Sequence, residues 1–108
     1  MKIIDYNDEY IRFDNHSLIT YWHEQDCYEH NYADFNQIDL IGINHNYDEN
    51  LRFEHVENCG FRFGDDKLMT FIPCYSEQNG YYTNEIEIYY NDKKVLTVNC
   101  EERIMEEW

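Results

Sequence analysis

The sequence predicts one domain of the mainly β (or α+β) class, an antiparallel twisted sheet built from hairpins with little helix. Apolar and polar residues alternate with a period of two along much of the chain, which is typical of half-buried strands. Clusters of turn-forming residues separate the alternating runs, so neighbouring runs are expected to pair as hairpins. A chain of 108 residues has room for one core. Residues 1–108 are therefore expected to form one acidic, β-rich domain.

The first predicted elements are two strands followed by a polar connection. Tyr10–Phe13 and Leu18–Trp22 are rich in β-forming residues, and the turn-like residues 14–17 between them predict a hairpin. Residues 27–37 are polar and aromatic without clean periodicity, which predicts a loop. Residues 38–42 are too short a run to assign, although the glycine that closes it is typical of the end of a brief helical turn.

The middle of the chain contributes another strand. Residues 44–50 are polar and are predicted to form a loop. Residues 51–57 alternate well, and this pattern predicts a strand with Leu51 and Phe53 on one side, joined by His55 as a weaker member.

The second half carries the clearest strand and turn signals. Residues 68–72 are almost continuously apolar, as in a strand covered on both faces. Pro73 predicts that this strand ends or bulges there, because proline cannot donate to the ladder. Asn79 and Gly80 both tolerate the positive φ of a type I′ turn, and they therefore predict a hairpin.

The strand after that turn is predicted to have one buried and one exposed face. The face predicted to be buried carries Tyr82, Asn84, Ile86, Ile88 and Tyr90. The face predicted to be exposed carries Tyr81, Thr83, Glu85, Glu87 and Tyr89. Residues 91–92 predict a second hairpin, into a strand at 95–98. Residues 101–108 are predicted to form one or two helical turns, with Ile104 and Trp108 in contact at i, i+4.

Charge narrows the possible partners. The chain carries 23 acidic and 8 basic residues, a formal net charge of −15, and its mean hydropathy is −0.84. Such acidity often marks disorder, but acidic disordered segments lack the 11 Tyr, 6 Phe and 2 Trp found here. A folded domain with a strongly negative surface is therefore expected. That surface would repel phosphates, which argues against direct binding to nucleic acid or anionic lipid and favours a basic protein as partner.

The expected location is the cytoplasm. The chain has no run of about 18 apolar residues, so no membrane span is expected, and residues 1–5 lack the apolar core of a signal peptide. No cofactor is expected, and the protein is expected to be a monomer or a homodimer. The widely spaced cysteines are expected to be reduced and half-buried: Cys27, Cys59, Cys74 and Cys100.

The densest group of chemically versatile side chains lies at residues 23–30. Two imidazoles, a thiol and three carboxylates there could bind a metal such as zinc, but the segment has no Cys-x-x-Cys, and its histidines are too far apart for ligation from one helix face. Cys27 is conceivable as a nucleophile with a histidine base, although an acidic neighbourhood disfavours the thiolate. The structural alternative is a strand end that runs into a polar loop. No metal ligand and no catalytic residue is predicted.

A second segment, residues 74–82, combines tyrosines with the predicted turn at Asn79 and Gly80. Its structural interpretation is a hairpin tip with aromatic cross-strand pairs. Its functional interpretation is a recognition edge, because tyrosines give rigid, amphipathic contact area. The two interpretations are compatible.

Together these segments resemble an uncharacterised family of small bacterial and phage proteins with the motifs His-x-Gln-Asp-Cys-Cys-Glu and Ser-x-x-Asn-Gly-Tyr-Tyr. The matching residues here are His23, Gln25, Asp26, Cys27 and Glu29, and then Ser76, Asn79, Gly80, Tyr81 and Tyr82. Tyr28 stands where the family has its second cysteine, which weakens a vicinal-thiol or metal site. The resemblance spans roughly residues 10–90. It implies a phage or mobile-element setting but no activity, since none is established for the family.

The carboxylates suggest how a partner would be bound. Glu85 and Glu87 share a strand face about 6.8 Å apart, and duplex DNA presents about one charge per 1.7 Å of axis. We therefore expect an acidic inhibitor of the anti-CRISPR or anti-restriction type, encoded by a phage or mobile element, that blocks the basic nucleic-acid-binding surface of a Cas protein or another bacterial defence nuclease. The predicted partner-binding residues are Tyr81, Glu85, Glu87, Tyr89, Asp26 and Glu29.

Other functions stay open. A solvated acidic surface that serves solubility is the structural alternative, and an immunity protein for a basic toxin nuclease would use the same physics. A small-molecule or metal binder, such as a sponge for an anionic nucleotide, would need convergent cations, for which Arg12, Arg52 and Arg62 are the candidates. An enzyme is not expected, because no acid–base pair or phosphate-binding loop stands out.

Overall fold

The computed structural model describes residues 1–23, 30–78 and 84–104, which form ten strands, a 3-10 turn and one short α-helix. The strands are β1 (Ile3–Tyr6), β2 (Tyr10–Phe13), β3 (Leu18–Trp22), β4 (His30–Ala33), β5 (Arg52–Val56), β6 (Gly60–Gly64), β7 (Met69–Gln78), β8 (Glu85–Tyr90), β9 (Lys93–Asn99) and β10 (Glu101–Ile104). The 3-10 turn (Phe35–Gln37) and the helix α1 (Leu40–Asn44) lie between β4 and β5. The prediction of a mainly β domain of antiparallel hairpins with little helix is confirmed.

The first sheet is antiparallel throughout, in the order β1-β2-β3-β8-β9. The predicted hairpin of β2 and β3 is confirmed, and the amide of Phe13 donates to the carbonyl of Ser17 across its turn (2.9 Å). The predicted hairpin of β8 and β9 is also confirmed. Its turn residues Asn91 and Asp92 have φ values of 50° and 67°, the pair of left-handed residues that a type I′ turn requires.

The second sheet is organised around β7, in the order β10-β7-β6-β5, with β4 also paired to β7. Residues 69–73 of β7 pair with β6, residues 74–77 pair with β4, and β10 runs parallel to β7. The predicted strand end or bulge at Pro73 is wrong, since the strand continues to Gln78. Pro73 lies where one ladder ends and the next begins, so its missing N–H falls at a ladder end. Its carbonyl still accepts a hydrogen bond from the amide of Asp34 (2.8 Å).

The loop predicted for residues 27–37 is wrong where the structure describes it. Residues 30–33 form β4, with Asn31 and Ala33 buried and His30 exposed, and a 3-10 turn follows. Four residues are too few for periodicity to stand out, and pairing with β7 supplies the partner that makes them a strand. Residues 27–29 lie outside the described residues.

The helix predicted for residues 101–108 is wrong at 101–104, which form β10. The parallel partner β7 decides the conformation there, and the guanidinium of Arg103 lies 3.8 Å from the centre of the Tyr75 ring on that strand. The predicted contact between Ile104 and Trp108 falls outside the described residues.

The hairpin predicted at Asn79 and Gly80 is wrong, because the flanking strands β7 and β8 belong to different sheets and do not pair; the two turn residues themselves lie outside the described residues. Two smaller predictions also need correction. Phe71 is 39% exposed, so β7 is covered on one face rather than on both at residues 69–72, although its residues 72–76 are all buried. Gly42 lies inside α1 instead of ending a helical turn. A Cβ at Gly42 would lie 2.5 Å from Cγ2 of Thr70, and glycine therefore allows the helix to approach β7 closely.

The hydrophobic core lies between the two sheets. The rings of Phe13 on β2 and Phe63 on β6 meet edge to face, with centroids 6.3 Å apart. Other fully buried members of this core include Ile11, Ile19, Ile86, Ile88, Val98, Phe61 and Ile72. Tyr47 belongs to the predicted polar loop at 44–50 but is buried, and its hydroxyl donates to the carbonyl of Gly42 (2.7 Å).

Charged side chains are kept out of this core. Among the described residues, no Asp, Glu, Lys or Arg is buried. Among the described cysteines none forms a disulfide, and none is half-buried as expected, since Cys59 is exposed and Cys74 and Cys100 are buried. No helix in the described part of the chain has the length and apolar character needed to cross a membrane.

Candidate partner-binding surface

Three of the predicted partner-binding residues lie together on the outer face of β8. Glu85, Glu87 and Tyr89 alternate with the buried Ile86 and Ile88. This is the division of faces that the sequence predicts for residues 85–90. The other predicted partner-binding residues lie outside the described residues: Asp26, Glu29 and Tyr81.

The charge of Glu87 is partly balanced within this face. Lys94 Nζ lies 3.1 Å from Glu87 Oε1, and the Tyr89 hydroxyl donates to Glu87 Oε2 (2.7 Å). The hydrogen bond from Tyr89 and then the contact with Lys94 lower the pKa of Glu87, while the same hydrogen bond raises the pKa of Tyr89. Glu87 is thus held ionised and oriented, but the row of negative charge is weaker than the spacing of the acidic residues alone predicts.

Trp22 is an exposed aromatic residue beside this face that the sequence analysis did not single out. It stands directly opposite Glu87 in the β3–β8 ladder, and it is 55% exposed. With Glu85 and Thr97 it lines a shallow depression on the outer side of the first sheet. The sequence feature that could have identified it is the alternation within β3, which places Trp22 outward, next to the inward-facing Tyr21.

A groove runs beside Trp22, where β3 of the first sheet meets β4 of the second. Two adjoining cavities, of about 430 and 340 Å³, share Tyr21 and His30 as lining residues. Their ring-bearing side chains are Tyr10, Tyr21, Trp22, His23, His30 and Tyr32, and their carboxylates are Asp8, Glu9 and Asp34. We call this feature the aromatic–acidic groove.

The turn between β1 and β2 places two of these carboxylates. Asn7 Oδ1 accepts hydrogen bonds from the backbone N–H groups of Glu9 (2.8 Å) and Tyr10 (3.1 Å). An asparagine that closes its own turn in this way fixes the chain that follows it. The turn thus places Asp8 and Glu9 immediately before β2, at the side of the groove.

Side-chain amides orient the carboxylates of the groove. Asn36 Nδ2 donates to Asp8 Oδ1, and Gln37 Nε2 donates to Asp34 Oδ2 (2.7 Å). Both amides belong to the 3-10 turn after β4. Because an amide carries no charge, these bonds position the carboxylates without neutralising them.

The electrostatic environment of the groove is negative. Burial of its side chain, followed by the charges of Asp8 and Glu9, raises the pKa of Tyr21. Burial, followed by the charge of Glu77 and a 3.1 Å hydrogen bond to it, raises the pKa of Tyr32 to about 12. No lysine or arginine is found among the described side chains that line the two cavities. The groove therefore combines aromatic walls with carboxylates, and Arg12, which lies over the ring of Tyr10, is a cation beside one of its walls.

A histidine–aspartate pair lies elsewhere, between the loop after α1 and the loop after β6. His45 Nε2 lies 3.0 Å from Asp65 Oδ2, and Asp65 also accepts hydrogen bonds from the backbone N–H groups of Asp48, Lys67 and Leu68. Burial acts to raise the pKa of Asp65, but these hydrogen bonds hold it well below its ordinary range. In the described part of the chain no serine, threonine or cysteine hydrogen-bonds to His45. The pair therefore joins two loops and lacks the nucleophile of a catalytic triad.

Residues 24–29 of the segment considered for a metal site lie outside the described residues. Within residues 1–23, 30–78 and 84–104, no group of three or more His, Cys, Asp or Glu side chains is arranged to hold a metal ion. Of the three arginines considered for a nucleotide site, Arg52 and Arg62 lie on the adjacent strands β5 and β6, whereas Arg12 lies on β2 of the other sheet. Each has a local partner: Arg12 lies over the ring of Tyr10 (5.0 Å), Arg52 contacts Asp66 (3.2 Å) and Arg62 contacts Glu54 (2.9 Å).

No protein-family model, no curated protein and no solved structure matches the chain. The resemblance to small bacterial and phage proteins therefore stays a prediction. A partner-binding surface is instead inferred from the geometry and charge of the β8 face and of the aromatic–acidic groove.

Proposed function

We propose that the protein is an acidic inhibitor, encoded by a phage or mobile element, that binds the basic nucleic-acid-binding surface of a bacterial defence nuclease. The observation that supports this most strongly is the location of its charge. The formal net charge is −15, and no described carboxylate is buried in the core. With 23 acidic and only 8 basic residues, most carboxylates have no lysine or arginine to pair with. A nucleic-acid-binding surface is the kind of partner that such a surplus attracts.

The proposed binding has two stages. Long-range attraction first brings the acidic surface to the basic one and raises the association rate, and this attraction weakens as salt screens it. Aromatic side chains then supply the contact area that slows dissociation. Trp22 and Tyr89 are the described residues on the first sheet best placed for this second stage.

The proposal is tested by binding measurements against a panel of Cas and restriction nucleases, with basic toxin nucleases included as a separate arm. We expect at least one defence nuclease to form a complex whose association rate falls steeply from low to moderate salt, while its dissociation rate changes little. The same nuclease saturated with its nucleic acid is the control, and it should no longer bind. Binding to toxin nucleases alone would indicate an immunity protein instead, and no complex at low salt would refute both.

A further inference from the structure

We propose that the aromatic–acidic groove binds an arginine side chain of the partner, with the guanidinium group against the aromatic rings and its N–H groups directed to Asp8, Glu9 and Asp34. The identity of the partner rests on the proposed function. The choice of arginine rests on the groove itself. A groove of this chemistry would give the inhibitor a specific recognition element in addition to its overall charge.

The dimensions of the groove leave room for an extended side chain. Its two cavities, about 430 and 340 Å³, adjoin at Tyr21 and His30, and ligand pockets are typically about 300–1,000 Å³. Trp22 is 55% exposed at the side of the groove, so an incoming group can reach its ring.

Charge complementarity selects a cation as the occupant. Asp8, Glu9 and Asp34 line the groove, and no lysine or arginine lines it among the described residues. The side-chain amides of Asn36 and Gln37 hold two of these carboxylates in place without removing their charge. An arginine from a partner would supply a counter-charge within the groove itself, in addition to Arg12 beside the Tyr10 wall.

The aromatic walls favour arginine over lysine. A planar guanidinium stacks on aromatic rings and can bind a carboxylate with two N–H groups at once, whereas an ammonium acts as a compact charge. The protein already uses this contact twice. The guanidinium of Arg12 lies 5.0 Å from the centre of the Tyr10 ring, and that of Arg103 lies 3.8 Å from the centre of the Tyr75 ring.

The first test is a nuclear magnetic resonance titration of the isotope-labelled full chain. The probes are the peptide acetyl-Gly-Arg-Gly-Arg-Gly-amide and its lysine counterpart, at low salt. We expect shift changes centred on Tyr21, Trp22 and Asp34, with the arginine peptide bound about threefold or more tightly than the lysine peptide. Shift changes centred elsewhere, no binding, or equal affinity for the two peptides would overturn the inference.

Charge-matched variants separate the groove from the overall charge. The groove variant combines Asp8→Asn, Glu9→Gln and Asp34→Asn. The control combines Glu49→Gln, Glu57→Gln and Asp92→Asn, which change the net charge equally but do not line the groove. We expect the groove variant to bind the arginine peptide about tenfold or more weakly, because it loses its charge-assisted contacts with the guanidinium group, and the control to lose about twofold at most.

A single substitution tests the groove even if the groove variant does not fold correctly. Trp22→Ala removes an exposed side chain and should weaken binding of the arginine peptide severalfold while the thermal unfolding midpoint stays nearly unchanged. Equal weakening by the groove and control variants would show that only net charge matters, which overturns the groove as a site. The nuclease panel would still decide the proposed function, because that proposal needs only the charged surface.

Discussion

Asp65 holds two loops together through one carboxylate that accepts hydrogen bonds from His45 and from three backbone N–H groups. Its side chain is 11% exposed, whereas that of the next residue, Asp66, is 93% exposed. Asparagine at position 65 would keep the shape but bring N–H donors against other donors. Asp65→Asn should therefore lower the free energy of unfolding by about 2 kcal/mol, and the matched control Asp66→Asn by no more than about 0.5 kcal/mol.

The same residue makes stability depend on pH in a defined direction. The pKa of Asp65 is lower in the folded chain than the value of about 3.9 expected when unfolded. Its stabilising contribution is therefore complete above about pH 5 and is lost as pH falls below about 4 toward the folded pKa. Urea unfolding across this acid range should show a steeper loss for the native protein than for Asp65→Asn. Parallel curves would contradict this role.

The turn between β8 and β9 contains two residues, Asn91 and Asp92, that share a left-handed backbone conformation but differ in their side-chain contacts. Asn91 Oδ1 accepts a hydrogen bond from the amide of Leu18 (2.9 Å), and its Nδ2 donates to the Ser17 hydroxyl (3.2 Å). Asp92 makes no such contact with the described residues but also adopts a left-handed φ of 67°. Glycine adopts that conformation without strain.

Substitutions in this turn should therefore have opposite effects. Asn91→Ala should destabilise the protein by about 1–2 kcal/mol, because two side-chain hydrogen bonds are lost. Asp92→Gly should stabilise it by about 0.5 kcal/mol, since the preferred type I′ pair is asparagine followed by glycine. Thermal unfolding of the two variants checks both signs, and a destabilised Asp92→Gly would show that the turn is held differently.

The elements that sequence analysis predicts correctly carry a distinctive signal of their own, either a turn-forming cluster between two β-rich runs or a sustained alternation. The hairpin of β2 and β3 and the alternation of β8 are of this kind. The strands β4 and β10 have only four residues each and become strands because β7 pairs with them. Pairing between distant segments leaves no local trace in so short a run.

Only part of the candidate site can likewise be predicted from the sequence. The shared face of Glu85, Glu87 and Tyr89 follows from strand parity. The contact of Glu87 with Lys94 depends on a register shift in the β8–β9 ladder, which the sequence does not reveal. The aromatic–acidic groove combines the turn before β2, the end of β3 and the segment after β4. Only the packing of the two sheets brings these three segments together.

The whole molecule carries 15 net negative charges over 6651 Å² of accessible surface. Charges of one sign repel each other in the compact state, and dissolved salt screens this repulsion. Adding sodium chloride at neutral pH should therefore raise the thermal unfolding midpoint by several degrees. Near the isoelectric point, about pH 4.4, the same addition should have little effect. An equal response at both pH values would contradict this, because salt would then be acting by something other than screening of the net charge.

We propose that this acidic surface takes the place of nucleic acid on a basic nuclease. Displacement of fluorescently labelled duplex DNA tests it most directly, with each Cas or restriction nuclease loaded on the duplex and the protein added at low and moderate salt. For at least one nuclease, the anisotropy should fall to the value of free DNA at near-stoichiometric protein, and more protein should be needed as salt rises. If the duplex stays bound to every nuclease under an excess of protein at low salt, the claim is contradicted.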